Sequence, residues 1–141
     1  MKKYVWLLLI AVMATVSCIK EPILIDGVVN EKVRMDLTDN PAMKYIIRDE
    51  LGNRRVQLFD LMVKDVTEST NIDYNFCVIV DVQTKKGLVE CHIFSTDVKT
   101  IARLVKGKTK IDAEGDFGRF FSLLDDYYTR LEMLKSSITI K

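Results

Sequence analysis

The sequence predicts a mainly β domain with α: a five-stranded closed barrel, led by one helix and carrying a second between its third and fourth strands. Three observations predict this. From Val56 onward, apolar residues recur at every second position in five separate runs. A short segment with helical spacing separates the third run from the fourth. The first run changes parity half-way, as a strand bent around a small barrel must. A chain of 141 residues has the length of one domain, and 48% hydrophobic residues suffice to fill one core.

The chain opens with Lys2 and Lys3 and an uncharged apolar run from Val5 to Val16. The run is shorter than the ~20 residues a membrane span needs. It has the length of the apolar region of an export signal, read here as helical. It ends Thr15-Val16-Ser17-Cys18, which resembles the lipobox of bacterial lipoproteins, with Thr15 where that family usually has Leu. The resemblance implies cleavage after the small Ser17 and lipid on Cys18. The address it implies is the bacterial cell envelope, anchored through that lipid on the periplasmic side of the outer membrane. Three Cys leave one odd after any pairing, in keeping with a modified Cys18. Residues 1–17 are thus a lipoprotein signal peptide, 18–38 the lipidated Cys and a tether, and 39–141 the barrel domain. Ile19 to Asn30 holds Pro22 and Gly27 without a helical period, and reads as extended with a short strand at Ile23–Ile25.

The leading helix starts where Asp39 or Asn40 can cap and Pro41 fits the first turn. Met43, Ile46, Ile47 and Leu51 form its apolar face, and Gly52 stops it. In the first strand Val56 and Leu58 share one parity, while Phe59, Leu61 and Val63 share the other. The second strand alternates from Tyr74 through Val82, residues 83–87 turn, and the third strand carries Val89, Cys91 and Ile93. Paired across that turn, Cys91 faces inward with Val78 and Val80 while Cys77 faces outward, so no disulfide is expected. Asp97 to Leu104 is the internal helix. Lys106-Gly107-Lys108 turns into a fourth strand ending at Gly115, and a fifth runs from about Tyr128 to Ile140.

A helix between strands three and four of a five-stranded barrel is the order of the OB-fold. Asn40-Pro41-Ala42, Gly52 to Val56, Val89 to Phe94, Leu104 to Lys108 and Ala113-Glu114-Gly115 follow one another along the chain. In that order they resemble the tRNA_anti-like OB-fold family of small exported bacterial proteins and lipoproteins, over residues 40–140. The chain departs from the family after Gly115, where it is long and aromatic. The resemblance implies a binding fold and does not itself imply tRNA as ligand.

Catalysis has little to stand on. His92 is the single His, outward on its strand beside Glu90, with no metal-ligand spacing around it. Cys91 reads as a core thiol and Asp125-Asp126 as a solvated turn. No phosphate loop or nucleophile motif occurs. No enzyme activity, metal or cofactor is expected.

OB-folds bind over strands two and three, between the first and last loops. Glu68, Asp73, Asp116, Asp125 and Asp126 fall in those loops and oppose phosphate. The expected function is a lipid-anchored envelope module binding a protein or small ligand. Nucleic acid is not the expected partner, and a single-stranded nucleic-acid-binding domain is the alternative. From Asp116 to Tyr128 the chain has more apolar side chains than a filled barrel can take. Phe117, Arg119, Phe120, Phe121, Tyr127 and Tyr128 form the candidate patch. They either cap the barrel with the leading helix or lie exposed for a protein partner.

Overall fold

A computed structural model of the chain describes residues 19–121 and 129–141. The expected export signal and Cys18, within residues 1–18, and Asp125, Asp126, Tyr127 and Tyr128, within residues 122–128, lie outside the described residues. Period-two alternation yields five barrel strands: β2 (Arg54–Glu68), β3 (Phe76–Thr84), β4 (Gly87–Phe94), β5 (Lys110–Phe121) and β6 (Thr129–Ile140). Strands β2, β3 and β4 run antiparallel in sequence, and β4 pairs in parallel with β6. β6 is antiparallel to β5, and β5 returns to β2 to close the barrel. The helix between β4 and β5 is Val98–Ile101, which we number α3. Asp97 caps it by accepting from Thr100 N at 3.1 Å. This is the OB-fold. The helix expected to reach Leu104 stops at Ile101, because the following residues form tight turns that still press Leu104 against the core.

The parity switch in β2 falls at a register shift shortly before the strand passes from one partner to the other. Its first half pairs with β5 and its second half with β3, with register shifts between Leu58 and Leu61 and between Val63 and Asp65. Asp60 sits in the bend at φ 53°, and its N–H donates to Asp112 Oδ1 at 2.8 Å. Val56, Leu58 and Val63 are thereby buried while Phe59 turns to solvent.

Two elements depart from expectation. The short strand expected at Ile23–Ile25 is present as β1 (Glu21–Leu24), but the residues after it, expected as tether, form helix α1 (Ile25–Asp36). β1 lies parallel on the first residues of β2, and the Arg54 side chain donates to the carbonyls of Glu21 and Pro22. α1 has no side-chain cap; burial of Val28, Val29 and Met35 holds it instead. Gly27 lets α1 turn back on β1, since a Cβ there would come within 2.9 Å of Ile23. β1 and α1 are therefore packed against the barrel and do not extend away from it.

The second departure is β5, which continues through Gly115 to Phe121. Gly115 is no stop. It lies so close to β6 that a Cβ would overlap the Ser136 hydroxyl and sit 3.0 Å from Leu134 O.

The leading helix follows as α2 (Pro41–Gly52). Asn40 Oδ1 accepts from Ala42 N at 2.9 Å, and Ile47 and Leu51 are buried. Met43 and Ile46 are exposed, so the buried face of α2 is narrower than its apolar spacing suggests.

Candidate functional site

The outer face of the β3–β4–β6 sheet is set by register. His92 stands between Ile79 on β3 and Glu132 on β6, and Glu90 between Asp81 and Arg130. Glu90 is the hub of this face. Its carboxylate accepts from Lys64 Nζ at 2.7 Å and from Arg130 Nε at 3.3 Å, and lies 2.8 Å from His92 Nε2. Burial alone would raise the Glu90 pKa, but the hydrogen bonds of Lys64 and His92 outweigh it and hold the carboxyl at about 2. Rings flank the hub. Tyr74 packs on Phe94 at 5.4 Å, and His92 meets the edge of Phe121 at 4.9 Å.

Beyond Phe121 the face opens into a cleft of about 880 Å³. Its floor is β5, where Phe117 and Phe120 stack edge-on at 4.9 Å. Among the described residues five basic side chains line it, Lys32, Arg48, Lys86, Arg119 and Arg130, against one carboxylate, Asp36. Three of the five cations are compensated. Lys32 pairs with Asp36, Arg119 holds Glu132 through both oxygens at 3.0 and 3.1 Å, and Arg130 reaches Glu90. Arg48 and Lys86 are exposed and have no ion-pair partner among the described residues, so the described lining of the cleft carries a positive excess.

Of the candidate patch, the fold brings together Phe117, Arg119, Phe120 and Phe121, all on the last turns of β5. Phe117 is buried in the core and Phe120 packs against it, so these rings close the barrel as well as floor the cleft. Phe120 and Phe121 keep part of their surface open. Tyr127 and Tyr128 lie outside the described residues. Sequence reasoning missed Lys32, Arg48 and Lys86. Lys86 was visible as half of a basic turn; Lys32 and Arg48 gave no signal, because only packing of α1 and α2 turns them to the cleft. Cys77 and Cys91 are free and buried on opposite faces of β3–β4. Burial pushes the Cys77 thiol up to about 12 and Cys91 higher. Among the described residues no group of three or more side chains could hold a metal ion.

No family model and no curated protein matches the chain. Among solved structures it is similar to "Plasmodium falciparum SSB complex with ssDNA", at 9% identity and TM-score 0.36. The match covers 62% of this chain and 93% of that one.

The expectation against nucleic acid as partner is corrected. It placed Asp116 among free carboxylates at the groove mouth, yet Asp116 lies mid-strand on β5, across from Arg55 of β2. There it pairs with Lys20 at 3.0 Å and Arg55 at 2.9 Å. Burial works against its charge, but these two partners still lower its pKa. A carboxylate neutralised in this way, and outside the lining of the cleft, does not oppose phosphate there.

Proposed function

We propose that this chain is an OB-fold module that binds single-stranded nucleic acid across the outer face of β3 and β4 and into the adjoining cleft. One observation carries the reading: the described lining of the cleft joins a positive excess to part-open phenyl rings. Phosphates need the cations and unpaired bases need the rings, the combination that sequence-tolerant strand binding uses. A duplex hides its bases in the stack and would leave the rings unused. Titration of the purified mature domain with fluorescein-labelled dT12 between 50 and 200 mM salt is the test. Affinity should fall steeply with salt. Phe121→Ala should weaken binding ~5-fold or more, at ~1–3 kcal/mol per stacked base. Absence of binding at 50 mM salt would reject the reading.

For the N-terminus we propose export and acylation at Cys18, supported by Lys2, Lys3, the apolar run and Ser17-Cys18. Such a module would meet its strand at the cell envelope. Cys18→Ala should abolish processing and release the protein from the membrane fraction; unchanged fractionation rejects the anchor.

A further inference from the structure

We infer that helices α1 and α2, which stand outside the five-stranded barrel, form the second wall of the strand-binding cleft. In this arrangement Arg48 and Lys32 hold phosphates of a strand that has run off the sheet. The inference rests on the nucleic-acid reading above and specifies the length of strand engaged. The barrel supplies only part of the lining, with Lys86 on the β3–β4 turn and Phe120 on β5. Lys32 of α1 and Arg48 of α2 line the same cleft from outside the barrel.

That side is built in advance. Val28, Val29 and Met35 anchor α1 to the core, and Ile47, next to Arg48, anchors α2 with Leu51. A preformed wall presents its charges without the ordering cost that a tether would incur. Lys32 also marks the path. Asp36 holds its ammonium at 2.7 Å, and it sits 5.9 Å from the centre of the Phe120 ring. A strand that lays a base on Phe120 must therefore pass this cation.

The sheet face alone is short. Leu88 to Phe94 spans ~20 Å at ~3.3 Å per residue, so a brief oligonucleotide is satisfied by the sheet and only a longer one reaches the helices.

The experiment compares dT4 and dT12 on the wild type and on the Lys32→Ala/Arg48→Ala double variant, with affinity measured against salt. For dT12 the slope of log affinity on log salt should drop by ~1.4 in the double variant, at ~0.7 per lost phosphate contact. For dT4 it should not change. Arg48→Gln alone should remove ~0.7 and decides the matter if the double variant fails to show wild-type circular dichroism. An unchanged dT12 slope in a folded variant overturns the inference while the nucleic-acid reading stands. Equal losses for dT4 and dT12 also overturn it, since the helices would then act as diffuse charge. If the wild type binds neither oligonucleotide, the nucleic-acid reading fails and this inference with it.

Discussion

Replacing Glu90 by Gln removes the carboxylate on which Lys64, His92 and Arg130 converge. The Glu90 side chain is 13% exposed, and its carboxyl is held at about 2 against 4.5 for an ordinary Glu. At ~1.4 kcal/mol per pKa unit this amounts to ~3 kcal/mol, or ~2 kcal/mol after allowing for residual solvent. The folded carboxyl is the stronger acid. Its contribution is therefore complete above about pH 4.5 and is lost as the pH falls through about 2. Urea unfolding of wild type and Glu90→Gln at pH 7, 4, 3 and 2 measures the difference directly, and other carboxylates cancel in the comparison. The variant should be less stable by ~2 kcal/mol at pH 7, with Tm lower by ~7 °C. The gap should close toward pH 2. A gap that stays constant across the range refutes the reasoning, because the side chain would then act through shape and not charge.

Three further outcomes follow from the packing. Gly115→Ala should cost ~1–3 kcal/mol in thermal unfolding, because its Cβ meets β6 at Ser136 and Leu134. Ile47→Ala should cost ~2–5 kcal/mol and Ile46→Ala under ~0.5 kcal/mol, the first side chain being buried and the second 46% exposed. Equal costs would mean that α2 is rotated from the position described. In a Cys18→Ser background, Cys77 and Cys91 should resist Ellman's reagent at pH 8 until the protein unfolds, since burial raises both thiols. Rapid native labelling of Cys91 would contradict its place inside the barrel.

Much of the fold is legible because it depends on neighbours in sequence. Alternation along β3 and β4 is clean because one face of each strand carries Asp81, Glu90 and His92 while the other carries Val78, Val80 and Cys91. The start of α2 is legible because Asn40 caps its own first turn. Helix α1 is illegible for the same reason reversed. It follows Pro22, holds Gly27 in its first turn and has no side-chain cap, and only contact with the barrel makes it a helix. Gly115 reads as a strand end although β5 runs on, because the glycine answers to the closeness of β6 and not to a turn. Asp116 reads as a free carboxylate because Lys20, 96 positions away, and Arg55, 61 positions away, are invisible to any local pattern.

By itself, then, the sequence determined the barrel and its order: five alternating runs, a bend in the first and a helix after the third. Periodicity is a property of each strand alone, so it survives without the rest of the molecule. Only the tertiary structure decided what meets at the cleft. Lys32, Arg48, Lys86 and Phe120 come from two helices, a turn and a strand, dispersed over some ninety residues of chain. No local period specifies distances across a closed barrel; those follow from how α1 and α2 pack on it and from where β5 passes β6.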